Sequence, residues 1–208
     1  MPLREIPGPA GRLEALLDEP VAADEVRAAV VLAHPHPQHG GTMHTKTVYQ
    51  SAKALARIGC AVLRFNFRGV AASDGVFDDG RGEMDDFRAG LDFMRASYPS
   101  RPLWAGGMSF GAWIAMTAGA TDPRATALIG IAAPVTRYDF EPVARSSNPK
   151  FLIHGEFDEV CSVKAIRAFY ARAAEPKELV VVDGADHLFD GKVSDVADAI
   201  EDLLGDWP

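Results

Sequence analysis

Gly106-Gly107-Met108-Ser109-Phe110-Gly111-Ala112 is the stretch on which the fold of this chain turns. An apolar strand candidate, Pro102 to Ala105, leads into it, and an amphipathic helix candidate, Trp113 to Ala120, follows. The spacing Gly107-x-Ser109-x-Gly111 fits a strand-to-helix turn so sharp that both residues flanking the serine must be small. Such a turn strains the serine backbone, exposes its hydroxyl and aims the positive end of the following helix at whatever reacts there. That geometry suits a nucleophile better than a core residue.

Moving outward, the same alternation recurs. Ala28 to Ala33 is a continuous apolar run of the kind a strand shows when both its faces are covered, and it ends in His34-Pro35-His36-Pro37-Gln38-His39-Gly40-Gly41. Thr45 to Ile58 has helical apolar spacing. Cys60 to Phe65 predicts a second buried strand, opening into Asn66-Phe67-Arg68-Gly69. Met84 to Tyr98 predicts a helix with acids toward its start, where the helix dipole favours them. Beyond the serine turn come strands at Thr126 to Ala133, Lys150 to Ile153 and Glu178 to Val182, with helices at Val163 to Ala173 and Ser194 to Leu204. At the other end, Leu3 to Ile6 and Arg12 to Leu17 flank Pro7-Gly8-Pro9-Ala10-Gly11 and predict an antiparallel edge hairpin. Alternating strands and helices with crossovers of this length predict an α/β fold, a doubly wound, mostly parallel sheet with helices on both faces. In such sheets functional groups gather beyond the carboxyl ends of the strands. The loops holding His34, Ser109, Asp158 and His187 all leave strand ends.

A hydrophobic content of 48% over 208 residues supplies one buried core and too little for two comfortable domains, so residues 1–208 read as a single domain. The net charge of -8, with no run of Lys or Arg, argues against nucleic acid or an anionic membrane as a partner. Neither a signal peptide nor a span of about eighteen apolar residues is visible, which makes the cytoplasm the expected location. Cys60 and Cys161 form no disulfide framework and read as reduced thiols.

A serine hydroxyl is a weak nucleophile until a base takes its proton and a carboxylate orients that base. Ser109, Asp158 and His187 supply the three parts, each from a different loop. Asp183 and Asp186 compete for the acid role, but both share the histidine's own loop, from which reaching its imidazole is harder. An oxyanion needs donors too, and the backbone N–H of Phe110, directly after the serine, is one candidate. The second should come from the His34 loop, where Pro35 and Pro37 have no N–H, leaving His36 first and Gln38 next. His34, His36, His39 and His44 invite a metal reading, but no carboxylate or thiolate stands beside them; rigid packing beneath the site is the expected role, with no metal.

With these residues assembled, the chain resembles the alpha/beta hydrolase superfamily, whose members place serine, acid and histidine in this order. It is most similar to the small bacterial hydrolases with a His-Pro-His-Pro-x-x-Gly-Gly-x-Met loop, matched from His34 to Met43. Asn66 to Gly69, His154-Gly155-x-x-Asp158 and Asp186-His187 also fit that pattern. The chain departs from it at His44-Thr45-Lys46 and at Val70 to Ser73, both near the mouth of the site. The resemblance implies a serine hydrolase of carboxylic esters working through an acyl-enzyme without a cofactor, on a small-molecule ester, as a monomer or homodimer. Thioesterases, dienelactone hydrolases, lipases and peptidases occur on the same scaffold, and a binding protein that keeps an unused triad is the non-enzymatic alternative. Many relatives carry a lid between the two strands that Pro134 to Pro149 joins here; this connection is too short for a helical cap, which predicts an open site.

Overall fold

Strand β3 (Ala29–Ala33) buries all five of its residues, and its side chains split between two cores. Ala29, Val31 and Ala33 enter one apolar layer, Val30 and Leu32 the other, as the two-residue period of a strand requires. Each Val or Leu taken fully out of water in this way contributes about 1.5–3 kcal/mol. The computed structural model describes residues 4–20 and 26–207 and places β3 near the middle of an eight-stranded sheet ordered β1-β2-β4-β3-β5-β6-β7-β8. The other strands are β1 (Glu5–Gly8), β2 (Gly11–Asp18), β4 (Ala61–Phe65), β5 (Leu103–Met108), β6 (Ala125–Ile131), β7 (Lys150–Gly155) and β8 (Lys177–Val182). The helices are α1 (Lys46–Arg57), α2 (Arg81–Ser97), α3 (Phe110–Thr121), α4 (Glu141–Arg145), α5 (Val163–Arg172) and α6 (Val193–Leu204).

From β3 to β8 every pairing is parallel, while β1 and β2 form the antiparallel edge hairpin and β2 pairs antiparallel with β4. Leu3, where the sequence starts this hairpin, lies outside the described residues. Helices α1 and α6 cover one face, with Val48, Leu55, Val196 and Ile200 in its core. Helices α2, α3 and α5 cover the other through residues such as Phe87, Ile114 and Phe169. This is the doubly wound, mostly parallel sheet with helices on both faces that the alternating pattern predicts. The chain runs from β3 outward to β4 and then, through α2, back across β3 to β5. That reversal opens a crevice beyond the carboxyl ends of β3 and β5, where ligands settle in such sheets.

Helix α3 departs from the amphipathic helix expected there. Only Trp113, Thr117, Ala120 and Thr121 of its twelve residues escape full burial, because the helix lies on β5 and β6 with α2 and α4 packed over it. It also starts at Phe110, earlier than Trp113, and β5 runs to Met108, beyond Ala105. Strand and helix therefore meet with Ser109 alone between them.

Pro134 to Pro149, a connection too short for a helical cap, contains only the five-residue α4, anchored by buried Phe140, Val143 and Ala144. At the start of β7, buried Lys150 donates to the carbonyls of Ser146, Asn148 and Ala174 at 2.6, 2.8 and 3.0 Å, so its charge is solvated by backbone. Cys60 and Cys161 are both free thiols and both buried. Among the described residues, no helix is long and apolar enough to cross a membrane.

Candidate active site

Ser109 sits at φ 54°, ψ -120°, a backbone state that L-residues rarely hold. What permits it is the closeness of its surroundings. A Cβ on Gly107 would fall on the backbone of Gly111, and a Cβ on Gly111 would fall on the backbone of Ala33 and His34 at the end of β3. The two glycines let β3, β5 and α3 meet at one point, and the Ser109 N–H is held by the Ile131 carbonyl at 2.8 Å.

Ser109 Oγ lies 2.8 Å from His187 Nε2, and His187 Nδ1 lies 2.8 Å from Asp158 Oδ2. His187 follows β8 and Asp158 follows β7, so the strand ends deliver both to the serine. The acid's other oxygen, Oδ1, accepts from the Val160 and Cys161 N–H groups, each at 2.8 Å. These partners assign the imidazole as the Nδ1–H tautomer, leaving Nε2 to accept the serine proton. Burial alone would raise the Asp158 carboxyl, but the hydrogen bonds from His187 and Cys161 hold it below the usual carboxylate range. Asp186, the rival on the histidine's loop, instead accepts from the Leu188 and Asp190 N–H groups and closes its own turn. Asp183 lies on the exposed edge beside α6.

Sequence reasoning passed over His154 as a working part. This fully buried residue donates from Nε2 to the Cys161 carbonyl at 2.6 Å and lies 3.6 Å from Asp158 Oδ2. It thus braces the loop whose Cys161 N–H holds the acid. Burial pushes its imidazole below the ordinary histidine value, against the Cys161 carbonyl and the Asp158 charge, so it stands there neutral.

The loop after β3 comes from the other side. His34 is fully buried; its Nδ1–H donates to the Pro35 carbonyl at 2.7 Å and its Nε2 accepts from the Phe67 N–H at 3.1 Å. Asn66 accepts the Met43 N–H at 2.8 Å, and Arg64, buried although it lies in a strand, donates to the Met43 carbonyl and to Asp18, both at 2.7 Å. The stretch from His34 to Met43 is therefore fastened at both ends to β4 and the turn after it. Between these ties the His36 ring packs against Phe110 and Phe77, and neither the His36 nor the Phe110 N–H has an intramolecular partner among the described residues. His39 packs on the His36 ring at 4.7 Å, whereas the His44 N–H is held by the Thr42 hydroxyl. Among the described residues, no three His, Cys, Asp or Glu side chains come together as a metal site.

Burial pulls the His34 imidazole down from 6.5 to about 4, against the Pro35 carbonyl, which raises it. The unfolded chain takes up this proton below about 6.5 and the folded one only below about 4, so stability is full above the first value and falls toward the second. The shift corresponds to about 3 kcal/mol lost between those limits. Urea unfolding at about pH 7 and pH 4.5 should show this loss in the wild type and a shallower one in His34→Gln; equal slopes would overturn the assignment.

A cavity of about 240 Å³ opens over Ser109, walled by Pro35, His36, Phe110, Tyr138, Val160 and Leu188. Sequence reasoning missed the part that Tyr138 plays in it, because the segment from Pro134 carries no regular pattern. The structure fixes that segment by stacking Tyr138 on Trp113, with ring centroids 4.3 Å apart and planes 10° off parallel. Trp113 Nε1–H in turn donates to the Asp139 carbonyl at 3.1 Å.

A strained serine, its imidazole and a buried acid, joined beyond the ends of a parallel sheet, are what serine hydrolases of this fold share. Residues 24–148, more than half of the chain, match the family described as serine aminopeptidase, S33. The chain belongs to this family of alpha/beta serine hydrolases. The hydrolase is 35% identical over 213 residues to the uncharacterized protein RP471 of Rickettsia prowazekii, a match covering 98% of this chain and 89% of that one. Among solved structures it is similar to an alpha-beta serine hydrolase homologue from Coxiella burnetii, with 34% identity, a TM-score of 0.91 and coverage of 98% and 97%. It is equally similar to XC6422 from Xanthomonas campestris, a serine hydrolase described as without a lid: 34% identity, a TM-score of 0.91 and coverage of 100% and 94%. In this hydrolase too, only the single-turn α4 stands where a lid would be inserted.

Proposed function

We propose that this hydrolase cleaves small carboxylic esters through an acyl-enzyme. The observation that carries the reading is the unbroken Ser109–His187–Asp158 chain of hydrogen bonds ending in a cavity of about 240 Å³. Ser109 Oγ attacks the ester carbonyl carbon while His187 Nε2 takes its proton, and Asp158 stabilises the imidazolium so formed. The carbonyl oxygen, now carrying the charge, accepts from the backbone N–H groups of Phe110 and His36, a pair worth about 3 kcal/mol each in sites of this type. His187 then protonates the departing alcohol. Water enters, gives its proton to His187 and attacks the acyl carbon, and the acid leaves as Ser109 regains its proton.

The size of the cavity supports short acyl groups, since it falls below the roughly 300–1,000 Å³ of drug-sized sites. An aminopeptidase reading, suggested by the family description, would require a carboxylate to hold the substrate's terminal ammonium. Among the described residues no Asp or Glu lines the cavity, and Glu159, next to the lining residue Val160, accepts from the His187 N–H at 3.3 Å. Thioesters and dienelactones present the same carbonyl to Ser109, so leaving-group preference is read from rates.

A fluorophosphonate probe followed by peptide mass spectrometry should mark one peptide, the one containing Ser109, and mark nothing in Ser109→Ala. Rates on p-nitrophenyl acetate, butyrate and octanoate should fall with chain length and exceed those on acetyl-CoA and alanine p-nitroanilide. No labelling together with no ester cleavage would overturn the reading and leave the binding-protein alternative standing.

A further inference from the structure

Exposed Arg137 lines the cavity over Ser109, and its guanidinium has no hydrogen-bond or ion-pair partner among the described residues. Arg4, Arg101 and Arg167 also lack such a partner, but none of these three lines the cavity. Several other arginines on this side of the sheet are committed: Arg68 to Asp86, Arg124 to Asp92 and Asp122, Arg145 and Arg172 to Glu141. The protein carries a net charge of -8, yet among the described residues the titratable groups lining this cavity are three imidazoles, those of His36, His39 and His187, the phenol of Tyr138 and this arginine, with no carboxylate. The main chain under Arg137 is pinned on both sides. Its N–H is held by the Pro134 carbonyl at 2.9 Å, and the next residue is Tyr138, clamped on Trp113. A planar five-donor cation on a fixed turn, lining the same cavity as Phe110 and Tyr138, is matched by a carboxylate, which it can grip with two parallel hydrogen bonds.

We infer that Arg137 is a specificity residue that selects esters carrying a carboxylate in addition to the ester group. The inference rests on the ester reading above. The carboxylate would sit on either the acyl or the alcohol side of the scissile bond, and a pair of substrates addresses each. On the acyl side these are p-nitrophenyl butyrate and the mono-p-nitrophenyl ester of glutaric acid; on the alcohol side, phenyl acetate and 4-acetoxybenzoate. The readout is the ratio of kcat/KM for the charged member to that for the neutral one, corrected for spontaneous hydrolysis. In at least one pair that ratio should fall about tenfold in Arg137→Ala, chiefly through KM, and further in Arg137→Glu, the scale of one charge-assisted contact. Unchanged ratios in both pairs and both variants would overturn the inference while leaving the ester reading intact. If the wild type cleaves none of the four esters, the ester reading fails instead, and thermal shifts with glutarate and benzoate decide the matter. Stabilisation of the wild type that is lost in Arg137→Ala would uphold an anion subsite, and no stabilisation of the wild type would end it.

Discussion

Asp158→Asn should lower kcat/KM on p-nitrophenyl acetate by about 10⁴-fold while leaving the fold in place. The size follows from which way the new amide must point. Two N–H groups, those of Val160 and Cys161, already donate to Oδ1 at 2.8 Å, so the amide oxygen belongs there and the NH₂ faces His187. A donor now opposes Nδ1, and the ring relieves the clash by moving its proton to Nε2. The nitrogen 2.8 Å from Ser109 Oγ then carries a hydrogen and has no lone pair with which to take the serine's. Circular dichroism should match the wild type and fluorophosphonate labelling should slow in parallel with esterolysis. A loss of less than tenfold would mean that another group supports the imidazole.

Gly111→Val should cost at least about 4 kcal/mol of stability, and Gly106→Ala far less. The two glycines lie five residues apart, but their surroundings differ in kind. A side chain on Gly111 would meet the backbone of Ala33 and His34, which cannot move without opening the sheet beside the serine. A Cβ on Gly106 would instead come within 3.2 Å of Ile129 Cβ and 3.3 Å of Leu32 Cδ1, side-chain atoms that can give by a few tenths of an ångström. Urea unfolding of both variants separates the cases. If Gly111→Val keeps wild-type stability, the contact between α3 and the end of β3 is looser than this geometry requires.

Much of this was legible in the residues because it obeys short-range rules. Val30 and Leu32 alternating with Ala29, Val31 and Ala33 in an apolar run can only be a strand covered twice, and Gly107-x-Ser109-x-Gly111 announces its turn through steric demand alone. The meeting of Asp158 with His187 could be inferred because both follow strands that must lie side by side. Other features have no local signature. Arg64 reads as a polar interruption in β4, and only partners 21 and 46 residues away explain its burial. His154 registers as part of a motif, but its bracing of the Asp158 loop depends on where the Cys161 carbonyl lands. Helix α3 reads as amphipathic because Trp113 and Thr117 mark a face, yet α4 and the neighbouring loop largely cover that face; what lies over a helix is decided by topology rather than by periodicity.

The fastening of the loop after β3 has a consequence for how such a protein can change over time. His34, Asn66 and Arg64 hold that loop from beneath, and His154 does the same for the acid, whereas Arg137 and Tyr138 reach the cavity from the connection between β6 and β7, which carries none of those ties. The residues that fasten the site and those that would select its substrate are thus written in separate sets of codons. A lineage can exchange the second set and acquire a new diet without having to reinvent the reaction.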